Sequence, residues 1–107
     1  MPTSVYPYRM TRLSDEVVAE NLEGLAGWVR DGDAIRRQFT FDGFPMATAF
    51  VVRLGFAAES VDHHPDLLVN YKRVTVTYST HSAGGLTAKD FDGARTADAI
   101  AAQMRAK

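Results

Sequence analysis

Residues 44–78 read FPMATAFVVRLGFAAESVDHHPDLLVNYKRVTVTY, and the spacing of their apolar residues changes partway along. Up to Val61 the apolar residues recur every three or four positions, which predicts a helix with one face toward a core. His64 marks its end, because a residue that precedes proline is biased away from helical geometry. Beyond Pro65, a short apolar run and then an alternation of apolar and polar residues predict two antiparallel strands. The predicted buried stripe of the helix consists of Phe44, Ala47, Phe50, Val51, Leu54, Ala58 and Val61.

Weaker patterns on either side of this stretch complete the predicted order of elements. Ser14 is a favourable N-cap for a first helix that we expect to run from Asp15 to near Leu25. A strand alternation follows over residues 35–41. Thr87 begins a capping-box pattern, with Asp in place of the usual Glu, ahead of a last helix close to the C-terminus. The order is helix, strand, helix, two strands, helix, which predicts a two-layer α+β fold with the helices on one face of an antiparallel sheet.

Composition argues against several classes of protein. The 107-residue chain is 46% hydrophobic, enough to close one core, and its small size makes self-association plausible. The net charge is -1 and the basic residues are scattered, so we predict no direct nucleic-acid partner. The absence of cysteine excludes disulfides, thiolate metal sites and cysteine nucleophiles.

We expect one domain over residues 13–107, preceded by a flexible N-terminal arm over residues 1–12. The first residues lack the basic start and apolar run of a signal peptide. No segment approaches the roughly twenty apolar residues that a membrane span needs. Without cysteine, a reducing cytoplasm is the simplest compartment, so we predict a cytoplasmic protein with no membrane partner.

All three histidines lie within one ordered set of polar residues in the second half of the chain. The set runs Glu59-x-x-x-His63-His64-Pro65, then Tyr71, then Thr80-His81, then Gly84-Gly85-Leu86-Thr87-x-x-Asp90. Histidine is the side chain whose ordinary pKa lies nearest neutrality, so this confinement indicates a proton-transfer site or a metal site.

Metal binding fits this set poorly. The side chains of the adjacent residues His63 and His64 diverge on either a helix or a strand, and the chain has no His-x-x-x-His pair. A serine-type triad fits less well, because no Gly-x-Ser-x-Gly elbow is present.

General acid–base chemistry fits better. One imidazole at the end of a helix and another beyond the end of a strand would face each other across a small pocket. Spacing alone does not choose between such a pair and three unrelated histidines, one capping a helix, one on the surface and one in a loop.

This set of residues resembles the pterin-4a-carbinolamine dehydratase family. The resemblance spans about residues 13–101 and includes the upstream motifs Leu22-x-x-Leu25-x-x-Trp28, Phe39-x-Phe41-x-x-Phe44 and Ala47-x-x-Phe50. Two residues depart from the family pattern. Asp62 stands where family members often have Asn, and Tyr78 stands where an aliphatic residue is common.

The resemblance implies a lyase, 4a-hydroxytetrahydrobiopterin dehydratase, that converts 4a-hydroxytetrahydropterin to quinonoid dihydropterin and so recycles a tetrahydrobiopterin-type cofactor. It implies no cofactor or metal of the enzyme's own. His63 and His81 match the family's acid–base pair, and the residues leave open which gives the proton and which takes it. His64 matches a binding histidine, and Glu59 lies one helical turn before His63, where it would orient that imidazole. The implied catalytic set is His63, His64, His81 and Glu59.

Four further positions match substrate-binding positions of the family: Trp28, Tyr71, Thr80 and Asp90. Taken from the residues alone, three of them have structural alternatives. Trp28 suits a core, Tyr71 a turn, and Asp90 a helix cap.

The resemblance also implies a four-stranded sheet and a homodimer or homotetramer. The patterns predict only three strands with clarity, so we expect the fourth in or beside the Leu67–Tyr71 region. An aromatic amino acid hydroxylase in the same pathway is the implied source of the pterin substrate.

Two alternative functions stay open. Family relatives also act as protein-binding modules, as a dimerisation cofactor for a transcription factor or in Rubisco assembly, so one alternative is a non-catalytic binding module. The other is a dehydratase for a different pterin.

Overall fold

The computed structural model describes residues 11–106, so the predicted arm lies outside the described residues except for Thr11 and Arg12. In chain order the elements are α1 (Asp15–Glu23), β1 (Val29–Asp31), β2 (Ala34–Thr40), α2 (Phe44–Ser60), β3 (Asp66–Asn70), β4 (Arg73–Tyr78), a 3-10 turn (His81–Ala83) and α3 (Ala88–Gln103). The predicted α+β class is confirmed.

The strands pair in the order β1-β2-β4-β3, and every pairing is antiparallel. Along β2 and β4, buried apolar side chains alternate with more exposed polar ones, so one face of the sheet is covered. Helices α2 and α3 pack on that face against β4. The covered side chains of these two strands are Ile35, Phe39, Val74, Val76 and Tyr78.

The fourth strand does not lie where we expected it. The region around Leu67 forms β3 itself, and the missing strand is β1, which pairs with β2 across a tight turn at Gly32. All three residues of β1 are exposed. An exposed strand of three residues has no alternation of apolar and polar side chains, so the pattern that revealed the other strands was absent here.

The starts of the helices agree with the sequence, whereas the ends of α1 and α2 differ from it. Ser14 caps α1 by accepting a hydrogen bond from the Val17 N–H at 3.2 Å, and α1 ends at Glu23, two residues before the predicted end. In α2 the interior of the predicted stripe is buried as expected, except for Val51, which is partly buried. Phe44 and Val61 are exposed instead, because they lie at the two ends of the helix, beyond the part that contacts the core.

No helix within residues 11–106 is long and apolar enough to cross a membrane.

Candidate functional site

The three histidines lie at one end of the sheet because β3 and β4 are antiparallel. Asp66, the first residue of β3, pairs with Thr77 near the end of β4. The segment that enters β3 carries His63 and His64, and the segment that leaves β4 carries His81. Both segments therefore lie at the same end of the sheet.

The end of α2 fixes the backbone of His63. The helix ends at Ser60, before the end at His64 that the following proline predicted. It ends early because Asp62 adopts a left-handed conformation with φ 52°. The N–H groups of Asp62 and His63 then donate to the carbonyls of Glu59 and Ala58, each at 3.2 Å. This is a Schellman motif, and Asp is among the few non-glycine residues that adopt its left-handed position readily.

His63 contacts a buried carboxylate. Its Nε2 lies 2.7 Å from Oδ1 of Asp90, which is 0% exposed. Oδ2 of Asp90 accepts from the Thr80 hydroxyl at 2.7 Å and from the Thr87 N–H at 2.9 Å. The latter contact belongs to the predicted capping box of α3, which is confirmed. Asp90 therefore serves the helix and the histidine together.

The hydrogen bonds of Asp90 determine which nitrogen of His63 exchanges protons. An ionised carboxylate only accepts hydrogen bonds, so Nε2 of His63 carries the hydrogen of the 2.7 Å contact. Nδ1 is then the ring atom that gains or loses a proton. A carboxylate in this position fixes the tautomer and stabilises the imidazolium when it forms.

Tyr78 is stacked against the His63 ring. The two ring centroids are 5.8 Å apart and the planes differ by 18°, a stacked arrangement. Burial, together with the Asp90 carboxylate, raises the pKa of Tyr78 to about 12, so its phenol stays protonated near neutral pH. Both rings line a cavity of about 250 Å³ between the end of α2 and the first half of α3. The His63 side chain is 13% exposed.

Glu59 contacts His64 and not His63, contrary to the spacing argument. Its Oε1 lies 2.7 Å from Nε2 of His64, and both side chains are exposed. The one-turn relation to His63 fails because the helix ends before that residue is reached. An exposed pair of this kind adds little stability. Its consequence is the orientation of the His64 ring.

His81 lies in the exposed 3-10 turn after β4, and its Nε2 is 3.5 Å from the Ser79 hydroxyl. It lines an open cavity of about 320 Å³ together with Asp66 and Thr80. The sequence predicted that His63 and His81 face each other across one pocket, and in the structure they line two cavities. Thr80 lines the cavity of His81, and its hydroxyl donates to the Asp90 carboxylate that His63 contacts.

Two other predicted site residues lie elsewhere. Tyr71 is 67% exposed in the turn between β3 and β4, at the end of that hairpin away from His64. Trp28 is buried in the core, where its Nε1 donates to Asp98 at 2.9 Å. Trp28 also packs on Tyr78, with ring centroids 6.3 Å apart, and so approaches His63 through that ring.

Among residues 11–106, no three histidine, aspartate or glutamate side chains are grouped as a metal site.

The sequence reasoning missed the contribution of Tyr78 and Gly93. The sequence predicted Tyr78 as part of a strand alternation and as a departure from the family pattern, with no role at the site. A Cβ built on Gly93 would lie 2.5 Å from two atoms of the Tyr78 ring. A glycine inside a predicted helix is the available signal, since it is unfavourable there unless something packs closely against it.

Comparisons with known proteins agree on one family. The family model described as "Pterin 4 alpha carbinolamine dehydratase" matches residues 11–100. Curated relatives named "Putative pterin-4-alpha-carbinolamine dehydratase" include one from Roseiflexus sp. (strain RS-1), 50% identical over 84% of this chain and 97% of that protein. Another, from Nocardia farcinica, is 49% identical over 83% of this chain and 94% of its own length.

Two solved structures share the fold. A "transcriptional coactivator/pterin dehydratase" from Brucella melitensis superposes with a TM-score of 0.80 and 41% identity, covering 85% of this chain and 99% of that one. A "pterin dehydratase-like protein" described as a RuBisCO assembly factor in the alpha-carboxysome has a TM-score of 0.57 and 20% identity, covering 69% and 86% respectively. The second likeness concerns the fold alone.

Proposed function

The chain belongs to the pterin 4 alpha carbinolamine dehydratase family, and from that premise we propose that it dehydrates a 4a-hydroxytetrahydropterin to the quinonoid dihydropterin. The observation that carries the proposal is the contact between His63 and the buried Asp90 carboxylate, 2.7 Å long. A histidine held at one nitrogen by a carboxylate, with its other nitrogen available, is suited to general acid–base catalysis.

The reaction requires two proton transfers. The C4a–O bond breaks as the hydroxyl receives a proton and leaves as water. A ring nitrogen loses its proton, and the electron pair of that N–H bond forms the new C=N bond. Positioned acid–base groups typically accelerate such steps by about 10²–10⁴-fold. The protein therefore needs one group that gives a proton and one that takes it, with no cofactor.

We assign these two transfers to His63 and His81. The proposal places the substrate across the end of the sheet, between the segments that carry the two residues. The His81 cavity, about 320 Å³, is within the size range typical of small-ligand sites. His64, oriented by Glu59, is assigned to substrate binding.

Stopped-flow absorbance tests the proposal directly. The 4a-hydroxypterin is generated in situ, and its decay is followed with the wild type, His63→Ala and His81→Ala. We expect the wild type to exceed the spontaneous rate and each variant to lose most of that gain. A folded wild type that leaves the spontaneous rate unchanged would refute the proposal for this substrate.

A second proposal concerns self-association into a homodimer or homotetramer. Phe56 of α2 is 77% exposed and Leu68 of β3 is 58% exposed. In addition, β3 is an edge strand of the sheet, so its outer backbone groups are available for pairing. Large exposed apolar side chains favour contact with another protein, and we propose that this protein is a second copy of the chain.

The same exposed apolar side chains are consistent with the alternative of a protein-binding module that does no chemistry. The kinetic test separates the two, because a binding module would leave the decay of the pterin unchanged. If the dehydratase proposal holds, an aromatic amino acid hydroxylase is the class of enzyme that would supply the substrate.

A further inference from the structure

The ring of Tyr78 has no part in the two proton transfers, although it is stacked against His63 in an offset arrangement. It stacks on that imidazole at 5.8 Å, with the ring planes 18° apart. It is itself 1% exposed and packs on Trp28, with centroids 6.3 Å apart. A ring held this firmly is a rigid surface behind the histidine, because buried side chains in a close-packed core have little room to move.

Gly93 allows Tyr78 to occupy this position. A Cβ at Gly93 would lie 2.5 Å from Cε1 and Cζ of the tyrosine, far inside the normal contact distance of about 3.5–4.0 Å. Gly93 also follows Asp90 by three residues on α3, so both lie on one face of the helix. This side of α3 therefore contacts Nε2 of His63 through Asp90, and at Gly93 it leaves room for the Tyr78 ring that stacks against the histidine.

We propose that Tyr78 is a positioning residue for His63, which restricts rotation of the imidazole so that Nδ1 keeps one direction toward the substrate. The inference rests on the proposed dehydratase function. Asp90 alone fixes one ring atom, Nε2, and a single hydrogen bond leaves the ring free to swing about it. The stacked ring removes that freedom. It is the aromatic surface and not the hydroxyl that acts, since the stack needs only the ring.

The kinetic test compares Tyr78→Phe, Tyr78→Leu and the control Phe39→Leu. Phe39 is also buried in the core and contacts Trp28, at 6.2 Å, so its loss weakens the same core without touching the stack. We expect Tyr78→Leu to lower kcat about tenfold with KM nearly unchanged, as misplacement of an acid–base group does. We expect Tyr78→Phe to retain wild-type kcat and Phe39→Leu to retain kcat despite lower stability.

A loss of kcat as large in Phe39→Leu as in Tyr78→Leu would overturn the inference, and so would an unchanged kcat in Tyr78→Leu. If Tyr78→Leu does not fold, Tyr78→Met, which fills more of the space, takes its place with the same expected result.

A second measurement does not depend on activity. The NMR chemical shift of the His63 ring protons, identified by their absence in His63→Gln, should include a contribution from the ring current of Tyr78. We expect that contribution to persist in Tyr78→Phe and to disappear in Tyr78→Leu. If the wild type fails to dehydrate the pterin, the dehydratase proposal fails while the shift still tests the stack. If the wild type is active but the shift is the same in Tyr78→Leu, the positioning inference fails alone.

Discussion

Replacing Gly93 with alanine should destabilise the protein, although the same change in a helix normally stabilises it. Alanine is favoured over glycine in a helix interior by about 1 kcal/mol. At Gly93, however, the new Cβ would lie 2.5 Å from two carbons of the Tyr78 ring. That ring packs on His63 and Trp28, so moving it aside would break those two contacts. Forcing an extra carbon into a filled core costs about 1–3 kcal/mol, so the two effects oppose each other.

Gly55 supplies the matched control. It lies inside α2, and a Cβ built on it has no described atom within 4 Å. Gly55→Ala should therefore gain the helix-propensity term alone. Because this term is common to both variants, the difference between their free energies of unfolding isolates the clash, and we expect Gly93→Ala to be less stable than Gly55→Ala by about 1–3 kcal/mol.

Urea denaturation followed by far-UV circular dichroism, at one protein concentration for all variants, measures this difference. The double variant Gly93→Ala with Tyr78→Leu should recover most of the loss, since the atoms that clash are gone. Equal stabilisation by Gly55→Ala and Gly93→Ala would refute the reasoning, because it would mean that the Tyr78 ring is free to move aside.

Three further predictions concern Asp90, Tyr78 and the exposed side chain of Phe56. Asp90→Asn should lower kcat by about 10–100-fold, because the amide cannot accept from all the present donors, whereas Asp98→Asn on the same helix should leave kcat unchanged; the stopped-flow assay compares them. The pKa of Tyr78 rises from 10.0 when unfolded to about 12 when folded, so its contribution to stability is complete below pH 10 and is lost as the pH rises through 12. The loss amounts to at most about 2.7 kcal/mol, and denaturation of the wild type against Tyr78→Phe from pH 9 to 12 should reveal it as a steeper decline in the wild type. Phe56→Asp should reduce the molar mass measured by light scattering toward that of a monomer without unfolding the chain, and an unchanged mass would argue against α2 as the self-association surface.

Regular patterns in the sequence predicted the parts of the fold whose side chains alternate between core and solvent. Strands β2 and β4 and the buried interior of α2 were found in this way, since each has one covered face. The edge strand β1 was missed because none of its three residues is buried. A pattern of burial cannot reveal a strand that buries nothing.

The candidate site was predictable as a set of residues and much less so as a set of contacts. The spacing of Glu59 and His63 predicted a pair that would form only if the helix continued through both. The left-handed conformation of Asp62 ends the helix first, so Glu59 meets His64 instead. The contact between His63 and Asp90 joins residues 27 positions apart. Such a contact depends on how α3 packs beside the end of α2, which local spacing does not determine.

Asp90 has a consequence for reading relatives of this protein. Its carboxylate closes the first turn of α3 and is held by Thr80 in the interior, so the fold needs it whether or not the histidine works. A descendant that abandoned chemistry would be expected to keep the aspartate. The exposed imidazole of His81, 3.5 Å from the Ser79 hydroxyl, contributes little to folding, so this position could change to another residue in such a descendant. The exposed histidine is therefore a better marker of retained catalysis across such sequences than the buried acid.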